Sequence, residues 1–266
     1  MAPITLALLG AGGINSVVAQ AIVAGQLPHV KVVAVAGATA DSPSATLLGE
    51  QLGANVVAPE GLVDAGAEWV LEAAGGSAVR QHVPGLWAAG INTIVMSVGA
   101  MIDDHVMAAY RGRGDVQVIL PSGGIAGLDG VRALAAVGGL TLARITTTKH
   151  PNGLRGAPYL EEHGTELPAD HAVTVFEGNA RAAVKGFPAN VNVAVALSLA
   201  GLGPDLTEVV VRSDPFATAV THLIEASGPL AALEVRLRSQ SSHQNPRTSY
   251  MAGASAVSAV RSLGVG

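Results

Sequence analysis

Up to about residue 120, mostly apolar runs alternate with glycine breaks and Ala/Leu-rich stretches. The first run spans Ile4 to Leu9; Gly10, Gly12 and Gly13 follow, then an Ala/Val-rich stretch to Ala24. Further runs lie at 31–36, 69–71, 93–97 and 116–120, and the segments 44–52, 78–89 and 103–111 between them read as helices. Strands buried on both faces read as near-continuous apolar runs. Their alternation with helices predicts an α/β domain, a Rossmann-like doubly wound parallel sheet.

From about residue 140 the pattern changes. Segments 140–149, 173–176, 208–212 and 232–238 alternate apolar and polar positions, as strands with one solvated face do. A helix is expected over 188–200, ending at Gly201. These elements predict a second, α+β domain with a mostly antiparallel sheet. A last helix, capped by Asn245 with Pro246 in its first position and running to Leu263, is expected to pack back on the first domain. The expected division is 1–121 plus 246–266 for dinucleotide binding, and 122–245 for substrate and catalysis.

The first turn carries the chemistry. Glycines there let main-chain N–H groups approach a pyrophosphate, which the positive end of the following helix holds. Gly10, Gly12, Gly13 and Ile14 are therefore candidate dinucleotide contacts, although Asn15 occupies the place of the third fingerprint glycine. Ligands of such sheets sit beyond the carboxyl ends of the strands. Gly10, Gly75, Gly99 and Gly123 are all expected at that edge, which makes Gly75 a further cofactor candidate. After the run 31–36 the nearest acidic residue is Asp41, several residues too late for a ribose hydroxyl, and no arginine stands ready for a 2′-phosphate. NAD and NADP remain alternatives.

Composition narrows the field. The 266 residues are 49% hydrophobic and 13% charged, with a net charge of −5 and no basic cluster, which argues against nucleic acid or an anionic membrane surface as partner. With no cysteine there is no disulfide, thiolate nucleophile or cysteine-bound metal. The uncharged stretch from Pro3 to Pro28 lacks a basic leader and is split by its glycines, so it reads as core rather than signal or span, and a cytoplasmic location is expected. The histidines are scattered without metal-ligand spacing, and no metal is expected.

Three clusters in the second half stand out. Ser122, Gly123, Gly124 and Gly127 follow the last strand of the first domain, either to approach a bound ring or as a crossover between domains. Lys185 to Asn192 carries Asn190 and Asn192, one suited to cap a helix and the other to face a ligand. His222 titrates near neutrality, and on the residues alone it stands between a structural histidine and a catalyst.

The order of Ser122 to Asp129, Val175 to Gly178, Phe187 to Val193, Ser213 to Pro215, His222 and Asn245 to Ser249 resembles the L-aspartate dehydrogenase family, the NAD-biosynthesis type. Glu72 to Ala74 and Met96 to Ala100 are similar to that family's first domain. The resemblance covers nearly the whole chain. It implies NAD(P)-dependent oxidative deamination of L-aspartate to iminoaspartate and then oxaloacetate and ammonia, in a homodimer. It places His222 at the active-site position and Gly124 and Asn190 at cofactor contacts. Gly124 stands where the family commonly has alanine, and Val220 where asparagine often precedes the histidine. Two substrate carboxylates call for cations or N–H donors; Lys149 and Lys185, with Arg247 behind them, are the candidates, and Ser122 and Asn192 are further substrate candidates. The alternatives are a dihydrodipicolinate-reductase-like or homoserine-dehydrogenase-like oxidoreductase, or an NAD(P)-sensing protein without turnover.

Overall fold

The computed structural model describes residues 2–188, 191–240 and 249–264. The chain forms two compact units, Met1–Gly123 with Ala252–Gly266, and Gly124–Met251.

The first unit contains β1 (Ile4–Leu9), α1 (Gly13–Val23), β2 (Val30–Ala36), α2 (Pro43–Leu52), β3 (Asn55–Val57), β4 (Trp69–Glu72), α3 (Gly76–Ala88), β5 (Asn92–Val95), α4 (Asp104–Arg111) and β6 (Val118–Ile119). Its sheet runs β3-β2-β1-β4-β5-β6 with every pairing parallel. Successive side chains of β1 enter different cores: Leu6 and Leu8 pack with Val18 and Leu71, whereas Ala7 and Leu9 pack with Val70 and Leu86. A strand buried on both faces needs this, and it is why the run shows no alternation. Ala256, Ala259 and Val260 of the C-terminal helix, with Leu263 just beyond its end, complete the first of these cores. β3 has no clear apolar run and was not expected from the pattern. β6 is shorter than the apolar stretch 116–120, because the Arg113 side chain donates to the Val116 carbonyl and keeps that residue in the preceding turn.

The second unit contains α5 (Leu128–Ala136), β7 (Leu142–Lys149), α6 (Pro158–Glu162), β8 (Val173–Asn179), α7 (Ala180–Gly186), α8 (Asn192–Ala200), β9 (Glu208–Ser213), β10 (Val220–Ser227) and β11 (Ala232–Ser239). Its sheet runs β11-β10-β7-β9-β8; only β7 and β9 pair in parallel, so the expected antiparallel character holds with one exception. β10 was not anticipated, although Val220–Ser227 alternates buried and half-buried positions. α8 ends at Gly201 as expected but starts at Asn192 behind Val191, with no side-chain cap, so Asn192 is not the capping asparagine. α9 (Tyr250–Arg261) closes the chain. Asn245 and Pro246, expected to open that helix, lie outside the described residues. Among the described residues, no helix is long and apolar enough to cross a membrane.

Candidate active site

The carboxyl edge of the first sheet is built around the β1–α1 turn. Gly10 has φ +98°, and a Cβ there would lie 2.9 Å from the Ala73 carbonyl oxygen, so only glycine fits. Its amide donates to the Ala36 carbonyl at 2.8 Å, so Gly10 shapes the turn rather than offering its own N–H to a ligand. A Cβ at Gly12 would meet nothing within 4 Å. α1 begins at Gly13 with Gly12 as its cap, and its first turn presents the unsatisfied N–H groups of a helix start at Gly13 and Ile14. Asn15 fills the third-glycine place by turning inward. It is fully buried and donates from Nδ2 to the carbonyls of Gly10 (2.7 Å) and Leu9 (3.2 Å). The side chain that broke the glycine pattern therefore holds the turn.

At the end of β4 stands a group that sequence reasoning noted only as part of a resemblance. Glu72 is fully buried. Its carboxyl accepts from the amides of Ala74 (2.8 Å), Gly75 (3.0 Å) and Ser97 (3.0 Å) and from the Ser97 hydroxyl (2.8 Å). Burial raises its pKa, and these hydrogen bonds oppose the rise. Gly75 (φ +111°) caps α3 with open space where a Cβ would lie, but Glu72 and Ser97 already accept from its amide. A ligand there meets its bare Cα.

In the second unit, β10 places His222 directly opposite Thr147 of β7. The imidazole is 4% exposed, and its Nδ1 lies 2.9 Å from the Thr147 hydroxyl. Among the described residues no hydrogen bond takes Nε2. A Cβ built on Gly124 would lie 3.7 Å from Nε2, 3.5 Å from Val193 Cγ1 and 3.8 Å from Ser249 Cβ, so the ring, Gly124 and the start of α8 meet. Burial, and then the Lys149 charge, lower the His222 pKa from 6.5 to about 3, so the ring is neutral at physiological pH. Burial also lowers Lys149 to about 8. Lys149 lies two residues beyond Thr147 on β7, hence on the same face of the sheet.

The second unit thus brings His222, Gly124 and Lys149 into one neighbourhood, together with Thr147, which sequence reasoning passed over. The signal was present: Thr147 is a polar residue at a buried position of the 142–149 alternation. Lys185 stands exposed in the last turn of α7, where a cation also suits the helix end. Asn192 is exposed at the start of α8, beside Val193. Ser122 belongs to the first unit, after β6. Asn190 and Arg247 lie outside the described residues.

A parallel sheet in this strand order, glycine turns on its carboxyl edge and a second unit with a buried neutral imidazole define a nicotinamide-dependent oxidoreductase. The comparisons make this specific. Residues 129–263 match the family described as aspartate dehydrogenase, C-terminal, and residues 10–111 match the NAD-binding domain described for homoserine dehydrogenase. The chain is 35% identical to an L-aspartate dehydrogenase of Methanosarcina mazei, over 97% of this chain and 96% of that protein. It is 34% identical to one of Bradyrhizobium diazoefficiens, over 96% and 90%. It belongs to the L-aspartate dehydrogenase family. The crystal structure of aspartate dehydrogenase from Thermotoga maritima shares the fold, with TM-score 0.71 and 21% identity over 98% of this chain and 97% of that one.

Proposed function

We propose that this protein oxidatively deaminates L-aspartate: aspartate, water and oxidised NAD or NADP yield oxaloacetate, ammonium, the reduced dinucleotide and a proton. The reading is carried by likeness to L-aspartate dehydrogenases across 97% of the chain. The buried, neutral His222 is the group that the chemistry requires. It acts on a small molecule, and we take it to be a cytoplasmic homodimer on the family resemblance.

The first unit fits a nicotinamide dinucleotide. The space over Gly12 and Gly75 is open where a Cβ would lie, and the helix start at Gly13 and Ile14 supplies N–H donors for a pyrophosphate. When bound, the nicotinamide supplies the chemistry of accepting hydride from the substrate Cα.

The chain's own residues handle protons and charge. Hydride leaves Cα only when the amine is neutral, so a base must take an ammonium proton, and water must later be activated to attack the imine. In the tautomer whose Nδ1–H donates to the Thr147 hydroxyl, which we assign here, His222 presents a lone pair at Nε2, on the side of Gly124. Lys149 is suited to one substrate carboxylate. A carboxylate beside it offsets the cation that depresses His222, so the imidazole becomes a stronger base as the diacid binds.

The test is to follow NADH and NADPH absorbance with the purified protein and a panel of amino and hydroxy acids. Reduction with L-aspartate is expected, and turnover only with another substrate overturns the reading. His222→Ala should lower kcat by about 10²-fold or more. Near-normal turnover in that variant removes His222 from the mechanism.

A further inference from the structure

We propose that Glu72 is a positioning residue for the dinucleotide: its buried carboxyl locks the β4–α3 turn against the β1–α1 turn, so both glycine turns are in place before a ligand arrives. The inference rests on the dinucleotide reading above and adds a residue that does not itself reach the ligand.

The two turns abut. A Cβ on Gly10 would come within 2.9 Å of the Ala73 carbonyl oxygen and 3.0 Å of the Ala74 Cα. The β1–α1 turn is thus only as well placed as the Ala73–Ala74 backbone beneath it. Glu72 Oε1 holds that backbone by accepting from both Ala74 and Gly75, with the Ser97 hydroxyl as a second acceptor for the Gly75 amide. Oε2 accepts from the Ser97 amide just past β5, so the same carboxyl spans the ends of two neighbouring strands. From the other side, Asn15 holds the Gly10 carbonyl. Asn15, Gly10, Ala73–Ala74, Glu72 and Ser97 form one continuous brace along the carboxyl edge.

Fold stability does not explain the residue. Among the described residues no cation pairs with Glu72, and desolvating a carboxyl is costly even when donors surround it. An apolar side chain would serve a strand end with less cost. What an apolar side chain lacks is the capacity to receive four donors at once and fix the turn that presents Gly75. Turns ordered beforehand spare a ligand the cost of ordering them on binding.

The experiment measures the NADH dissociation constant by fluorescence without substrate, beside apo-protein melting and steady-state kinetics, for Glu72→Gln and Ser97→Ala. The glutamine keeps the shape but sets an NH2 against the Ser97 amide. Glu72→Gln is expected to weaken NADH by about tenfold, with a smaller fall in kcat at saturating cofactor. Ser97→Ala, which removes one donor to the carboxyl and one of the two acceptors of the Gly75 amide, should weaken NADH less and in the same direction. Unchanged NADH affinity in a folded Glu72→Gln protein overturns the proposal, as does a fall in kcat at saturation with affinity intact. If Glu72→Gln does not fold, Ser97→Ala decides alone, and unaltered NADH binding there overturns it. Should the unsubstituted protein bind neither NADH nor NADPH, the dinucleotide reading itself falls, which is a distinct result.

Discussion

Each unit buries one titratable side chain of first importance, and the two are treated in opposite ways. Glu72 in the first unit receives four hydrogen bonds from its own chain. His222 in the second unit has one ring nitrogen engaged by Thr147, while the other faces the bare Cα of Gly124. A buried polar group whose hydrogen-bonding capacity is used internally makes structure. One left half-used at the same depth is costly to fold and is open to a substrate. The difference is the one that the proposed roles require, a brace for Glu72 and a reacting group for His222.

The largest expected effect that would break this contrast is on stability against pH. The folded-state pKa of His222 lies near 3 against 6.5 unperturbed, so between these values the unfolded chain binds more protons. Its contribution is fully present above pH 6.5 and is lost as pH falls toward 3, amounting to on the order of 5 kcal/mol. The folded pKa of Glu72 is raised, so its contribution has the opposite sign: present below 4.5 and lost as pH rises through the folded value. Urea unfolding from pH 7 to pH 4 should show the unsubstituted protein losing stability in acid, with a shallower loss in His222→Gln. Parallel curves for the two proteins mean that His222 is not desolvated.

A smaller effect is expected at Thr147. Replacing it with valine keeps a branched side chain but removes the partner of Nδ1, and turnover should fall roughly tenfold without loss of fold. Unaltered kcat in Thr147→Val shows that the ring needs no orienting partner. The smallest effect is expected for Gly124→Ala. The added Cβ meets neighbours at 3.5 to 3.8 Å, which are ordinary contacts, so turnover should stay within about twofold. A tenfold loss there would show that a methyl 3.7 Å from Nε2 blocks the approach of substrate to the ring.

Legibility followed the range of the interactions. The first unit was readable because a parallel sheet buried on both faces imprints itself as local apolar runs, and its turns as glycines; β1, β2 and β4 appear close to where the runs stand. β3 was missed because three residues at a sheet edge leave little periodic trace. β10 is hard to read because its buried positions include the polar His222 while the apolar Leu223 lies on the opposite, half-buried face, which blurs the apolar–polar alternation. Asn15 was read as a departure from the glycine pattern, whereas its two hydrogen bonds to the turn make it part of the pattern's replacement.

From sequence alone came the two kinds of sheet and the glycine edge, since each depends on residue type and near-neighbour spacing; His222, Gly124 and Lys149 became candidates through the family resemblance. The fold alone decided that Thr147 faces His222 across 75 residues of chain, that Lys149 acts on the same ring, and that Glu72 gathers donors from two strand ends. Register between strands and removal of water are set by the whole packed structure, so the protonation state of a buried group cannot be read from its neighbours in sequence.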